Sequence, residues 1–239
     1  MYFQGGLILS IESKLLISVL KLTKEGAVKL KDVNSDARIP KSTSLTLLEK
    51  LQNENLLNLQ DDSIETSVES RLKMAFKAVT LGADLQRISD LLNWREFEEL
   101  AALNLNEHGY ETARNVHFKH DGKRWEIDVV GCKKPLVICV DCKQWHHGMN
   151  SSTIKKMAKS QASRVQEFSK SLPCSSINIQ CTKWEKAQFV PVILSLIPVC
   201  SKFFDNVPIV SVLQMRDFIE QLPLNLECLK WYHKKYSHL

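Results

Sequence analysis

The sequence predicts an α/β protein: a mixed β-sheet flanked by helices, preceded by a smaller helical module that ends in a hairpin. Three observations carry this. Two short β-branched runs, one around Asp128 and one around Asp141, are separated by a turn. A helical stretch stops at His108-Gly109-Tyr110 just ahead of a further strand. Near the N-terminus, three helical segments precede a polar hairpin.

Ile127 to Val130 and Val137 to Cys142 flank Gly131-Cys132-Lys133-Lys134-Pro135, which reads as a β-hairpin. Alternation puts Val137, Cys139, Asp141 and Lys143 on one face. Ile138, Val140 and Cys142 share the other and are expected to form the core. Acidic groups in apolar strands are costly unless paired or bound to metal, so the hairpin reads as a site. Two carboxylates about 4 Å apart repel by roughly 1 kcal/mol in water and about 4 kcal/mol at an effective dielectric of 20. A divalent cation reverses that sign. Mg²⁺ suits the donor set, because it takes one or two carboxylates plus waters and phosphate oxygens. Lys143, two positions after Asp141, then stands ready to hold a water or to steady developing negative charge.

Trp94 to His108 carries an imperfect helical stripe of Phe97, Leu100, Ala101, Leu103 and Leu105, closed by a glycine cap at Gly109. Tyr110 to Phe118 follows as the first strand of the sheet. Glu98 and Glu99 lie in the helix, and one of them can complete an acidic cluster.

This order of parts resembles the PD-(D/E)XK nuclease superfamily, and archaeal Holliday junction resolvases and Mrr-type restriction endonucleases most closely. Phe97-Glu98 followed by Gly109-Tyr110 matches the helix motif, so the resemblance prefers Glu98 to Glu99. Ile127-Asp128-Val129 matches the second motif and Val140-Asp141-Cys142-Lys143 the third. The likeness covers roughly Trp94 to Leu172. It implies a restriction-endonuclease-like fold and a metal-dependent DNA endonuclease in which Mn²⁺ can substitute for Mg²⁺. Asp128 and Asp141 would hold the metal, Glu98 would orient it or its water, and Lys143 would assist catalysis. The resolvases act as dimers on branched DNA, so a homodimer and structured DNA are implied. Duplex cleavage of restriction type is the alternative, as is a non-catalytic DNA-binding protein that keeps the fold. Glu126 shares parity with Asp128 and is an additional ligand or a rim residue, and Gln144 is a polar support.

Cys139 and Cys142, followed by His146 and His147, invite a zinc reading. Positions three apart on a strand face opposite ways, which argues against it. The histidines are expected to flank a DNA-binding loop or to lie near the active site. Ile154 to Phe168 is a helix with Lys155, Lys156 and Lys159 off its apolar stripe, available to DNA phosphates. Ile177 to Thr182, Gln188 to Ile197 and Pro208 to Val212 extend the α/β core, the first as a strand. Met215 to Leu222 is a short helix. Leu226 to Tyr236 is a basic, aromatic tail suited to a core-docked helix, a dimer contact or a DNA contact.

The N-terminal segment reads as a helix over Leu7 to Leu22, a short element at Val28 to Val33, and a helix over Lys41 to Asn53. A hairpin over Asn55 to Thr66 follows, with an Asp-Asp-Ser turn. That is the winged-helix order, in which the third helix enters the major groove. Lys41, Ser42, Thr43 and Ser44 at its start are candidates for phosphate or base contact. The expected division is a tag remnant at 1–6, a winged helix at 7–67, a long linking helix at 68–93 and the nuclease-like domain at 94–239.

Net charge is +5 over 239 residues, compatible with nucleic acid. Seven cysteines, an odd number, sit largely in apolar runs and point to a reducing, cytoplasmic setting rather than a disulfide framework. No apolar run reaches 18 residues, so no membrane span is expected.

Overall fold

The computed structural model describes residues 10–143, 151–174, 177–195 and 202–236. The expected tag remnant at 1–6 lies outside the described residues. The chain divides into two units, Met1–Glu96 and Phe97–Leu239.

The first unit holds α1 (Ile11–Leu22), β1 (Val28–Lys29), α2 (Leu30–Ala37), α3 (Lys41–Asn53), β2 (Asn58–Gln60), β3 (Ser63–Glu65), α4 (Val68–Thr80) and α5 (Leu85–Leu91). Its strands pair in the order β1-β3-β2, all antiparallel. Leu15, Leu16, Val19, Leu20, Leu48, Leu51, Ile64, Leu72 and Met74 fill its core. Local chemistry starts the helices: Ser10, Ser67 and Asp84 each accept the backbone N–H three residues on, capping α1, α4 and α5. The hairpin turns on Asp61-Asp62 alone, both left-handed (φ 49° and 60°), while Ser63 already pairs with Gln60. Positive φ at both central residues is the tight turn that matches strand twist.

Two expectations need correction here. The single helix over 68–92 is two helices, parted at Gly82 with φ 89°, and α4 packs on α1 within this unit. Ser44 is fully buried, because Ser44, Leu48 and Leu51 recur at helical spacing on the inward face of α3. Lys41 and Ser42 are exposed and Thr43 is half-buried.

Helix α6 (Trp94–Glu107) begins in the first unit and runs into the second, where it leads into β4 (Glu111–His120), β5 (Lys123–Lys133) and β6 (Leu136–Lys143). Then come α7 (Ser151–Ser171), β7 (Lys186–Ser195), β8 (Phe203–Phe204), β9 (Val207–Ser211), α8 (Met215–Asn225) and β10 (Tyr232–Lys235). The sheet order is β4-β5-β6-β7-β9-β8, with β10 also on β7. β4, β5 and β6 are antiparallel neighbours, whereas β6, β7 and β9 run parallel. This is the expected mixed sheet flanked by helices.

Residues Leu136 to Cys142 of β6 are buried on both faces. Val137 and Cys139 therefore belong to the core as fully as Ile138 and Val140, against the one-faced reading. A strand covered on both sides shows no polar alternation. Helix α7 supplies Val165 and Phe168 to that core. Helix α6 ends in a Schellman motif: Gly109 (φ 79°) donates to Asn106 O and Tyr110 to Leu105 O. Leu105 lies so close to Gly131 that a Cβ there would stand 3.0 Å from its Cδ1.

Two further expectations change. Ile177 to Thr182 forms no strand: Gln180–Lys183 is a 3-10 turn, although Ile177, Ile179 and Cys181 are all buried. The basic tail forms no core-docked helix beyond a 3-10 turn at Leu226–Cys228. Tyr232 to Lys235 pairs antiparallel with β7, and Tyr236 is buried with its hydroxyl 3.7 Å from Cys181 Sγ.

Candidate active site

The site forms where β5 and β6 run side by side. Their ladder pairs Val129 with Val140, one step from Asp128 and Asp141. Asp128 is 8% exposed and Asp141 3%. The ladder between β4 and β5 pairs Arg114 with Val129 and resumes at Val116 with Ile127. Asn115 in between adopts φ 50°. Val130 and Cys132 on one side of this break, and Trp125 and Ile127 on the other, pack into the same core cluster despite opposite parity. Asp128 thus sits at an irregularity in the strand, where a side chain can be re-aimed.

The Cys142 N–H donates to Asp128 Oδ2 at 2.7 Å and fixes that carboxyl. Burial raises the Asp128 pKa to about 6, and the carboxylates of Asp141 and Glu98 add to the rise. The Cys142 N–H and the Lys143 ammonium oppose it. Asp141 lies between two cations. Lys143 Nζ is 2.9 Å from each of its oxygens, and Arg164 Nη1 is 2.6 Å from Oδ1.

Glu98 is buried near the N-terminus of α6, and its field reaches both Asp128 and Cys142. Burial, together with Asp128, Asp141 and Glu98, pushes the Cys142 thiol well above its ordinary range. Glu99 instead pairs with Arg114. The structure therefore brings Glu98, Asp128, Asp141 and Lys143 into one electrostatic neighbourhood. Asp128 and Asp141 are a buried carboxylate pair of the oxygen type that a hard divalent cation takes, with Glu98 acting on Asp128 through its field. The donor atoms of Glu98, Asp128 and Asp141 do not all lie within 4.8 Å of one another; among the described residues, His120, Asp121 and Glu167 do.

Glu126 goes elsewhere: it is exposed and pairs across the hairpin with His117, 3.9 Å from its Nδ1. Gln144, His146 and His147 lie outside the described residues. Cys139 and Cys142 are buried free thiols on β6. Lys155, Lys156 and Lys159 are exposed on α7.

Sequence reasoning missed Arg164 and Gln161. Gln161 Nε2 donates to Cys139 O at 2.9 Å, and its Oε1 accepts from Arg164 Nη1 at 2.9 Å. A glutamine inside the apolar stripe of α7, followed three residues on by arginine, was the available signal. That spacing sets the two side by side on the helix.

The Mrr_cat family model, described as restriction endonuclease, matches residues 89–195. This part of the chain is of the PD-(D/E)XK nuclease superfamily, Mrr-like, and its function is nuclease-like. The chain is 26% identical over 132 residues to an uncharacterized protein of Archaeoglobus fulgidus, covering 55% of this chain and 92% of that protein. Among solved structures it is similar to AF1548, a protein of unknown function, with 22% identity, 41% of this chain and 46% of that one covered, and a TM-score of 0.28. It is also similar to VC1899 from Vibrio cholerae, with 12% identity, coverages of 91% and 52%, and a TM-score of 0.40. Can2 from Sulfobacillus thermosulfidooxidans, solved with cyclic tetra-adenylate, gives 14% identity, coverages of 88% and 50%, and a TM-score of 0.40. The chain spans about half the length of these solved chains. Among the described residues, no helix is long and apolar enough to cross a membrane.

Proposed function

We propose that the protein is a Mg²⁺-dependent DNA endonuclease that hydrolyses phosphodiester bonds, with branched or structured DNA as substrate and a homodimer as the working form. The carrying observation is the pair of buried carboxylates on adjacent strands, Asp128 held by the Cys142 N–H and Asp141 by Lys143. Asp128 and Asp141 would hold the cation, with Glu98 supporting its shell. Bound there, Mg²⁺ would supply charge stabilisation to a phosphoryl oxygen and an acidified water. The chain's own groups do the rest. The Cys142 N–H keeps Asp128 oriented. The Lys143 ammonium orients the attacking water and steadies charge on the phosphorane. In the first unit, three helices and the β1-β3-β2 sheet support a winged helix, with Lys41, Ser42 and Thr43 at the start of α3 facing DNA.

A second reading, restriction-type cleavage of plain duplex, is favoured by the match to the restriction endonuclease family. Nicking of a four-way junction and of linear duplexes, each in Mg²⁺, Mn²⁺ and EDTA, separates the two. Asp141→Ala is expected to lower metal-dependent nicking at least about 10³-fold, since a lost metal contact is worth several kcal/mol and each 1.36 kcal/mol is tenfold. If wild type and variant both bind DNA but neither nicks, the protein is a binder and the hydrolase reading fails.

The exposed lysines of α7 give an independent measurement. Converting Lys155, Lys156 and Lys159 to glutamine is expected to flatten the slope of log affinity against log salt by up to about 2.7, at roughly 0.9 per phosphate contact. An unchanged slope would remove α7 from the DNA-binding surface.

A further inference from the structure

We propose that Arg164 is a phosphate-binding residue of this site, an assignment that deepens the nuclease reading and rests on it. The guanidinium is anchored at one nitrogen. Nη1 donates to Asp141 Oδ1 at 2.6 Å and to Gln161 Oε1 at 2.9 Å. Gln161 is itself fixed: it is 1% exposed and its Nε2 donates to Cys139 O at 2.9 Å and Val192 O at 3.4 Å, on adjacent strands β6 and β7. Arg164 is thus tied to the sheet through a buried amide.

Nε and Nη2 make no hydrogen bond among the described residues, and the side chain is 21% exposed beside an aspartate that is 4% exposed. Arginine carries five donors in a fixed plane, and two neighbouring ones match a pair of phosphate oxygens. Asp141 needs only one cation for charge balance, and Lys143 already spans both its oxygens. The second cation therefore adds a positive charge and two further donors beside the Asp128–Asp141 carboxylate pair, where a non-bridging phosphate oxygen of the DNA would lie. The helix holds the charge in place before substrate arrives, so little reorganisation accompanies binding.

Arg164→Met and Arg164→Lys test this. Affinity for a fluorescein-labelled 30-base-pair duplex is measured in EDTA over a salt series, and nicking separately in Mg²⁺. The methionine variant is expected to flatten the salt slope by about 0.9. It is also expected to lose on the order of 10²-fold in nicking, the loss typical of one oxyanion donor. The lysine variant is expected to keep the slope, because it keeps the charge, and to lose nicking to a similar extent, because it lacks the fork. A residue that only braced Asp141 would leave the slope unmoved. An unmoved slope in Arg164→Met, or nicking by Arg164→Lys within about threefold of wild type, overturns the assignment. If the methionine variant does not fold, the lysine variant alone decides. A flattened slope in a protein that never nicks keeps the phosphate contact and removes the hydrolase reading; nicking with an unmoved slope does the reverse.

Discussion

Asp128→Asn is expected to abolish metal-dependent nicking while making the metal-free protein more stable at neutral pH. The fold holds this carboxyl at a pKa of about 6, up from 3.8, chiefly because it is buried. A carboxyl raised in the folded state is held protonated more firmly by the fold than by the open chain. Its favourable contribution is complete below 3.8 and is lost as pH rises through about 6. Above that, ionised Asp128 costs about 3 kcal/mol, at 1.36 kcal/mol per pH unit. Asparagine is neutral throughout and can still accept the Cys142 N–H. Urea denaturation in EDTA from pH 4 to 8 should show wild-type stability falling through that window, and a variant curve lacking this fall. At pH 7.5 the variant should lead by about 1–3 kcal/mol. Added Mg²⁺ should raise the wild-type midpoint and leave the variant's nearly unchanged, because a ligand stabilises only the state that binds it. Parallel pH curves would show that Asp128 titrates normally in the fold. Nicking by Asp128→Asn at wild-type rates would remove it from the reaction.

The acidic strands were legible because charge in an apolar run is conspicuous. Ile127-Asp128-Val129 and Val140-Asp141-Cys142-Lys143 each break a pattern that burial enforces, and β5 and β6 indeed set them one step from a paired position. Strict alternation carried less. It gave β6 a single core face, whereas a strand covered on both sides buries Val137 and Cys139 along with Ile138 and Val140. It also could not foresee the break at Asn115, since a left-handed residue inside a strand leaves no periodic trace. Ile177, Ile179 and Cys181 show the converse. Their spacing reported burial correctly, but burial does not choose hydrogen-bond partners, and the segment closes on itself as a 3-10 turn. Two hairpin turns were readable and unused: Asp121-Gly122 and Asp205-Asn206 both take positive φ at both positions. The link from Arg164 to Asp141 joins positions 23 residues apart and exists only once α7 lies on the sheet.

Glu96→Ala is expected to cost about 3–5 kcal/mol, a large share of the 5–15 kcal/mol typical of a domain. Glu96 is completely buried and pairs with Arg71, whose side chain is 4% exposed. Arg71 also donates to Leu20 O at 2.7 Å, Thr23 Oγ1 at 2.6 Å and Leu91 O at 2.9 Å, tying the end of α1 to the end of α5. Glu96 closes the start of α6 reciprocally with Asn93: its Oε2 accepts the Asn93 N–H at 2.6 Å, and its own N–H donates to Asn93 Oδ1 at 2.9 Å. Truncating the carboxylate strands a guanidinium away from water and opens the cap together. The charge accounts for most of the loss, so removing it as well should restore stability. The double variant Arg71→Met, Glu96→Met is expected to recover most of the difference, since apolar replacements of similar volume commonly match a buried ion pair. Urea midpoints of the two single variants and the double variant decide this; a double variant no more stable than the weaker single would show that the cap and the backbone contacts dominate. Glu98 lies two residues beyond Glu96, at the start of the second turn of α6. Nicking should therefore fall in Glu96→Ala even at temperatures where the chain stays folded, and return with stability in the double variant only to the extent that α6 regains its start without the cap.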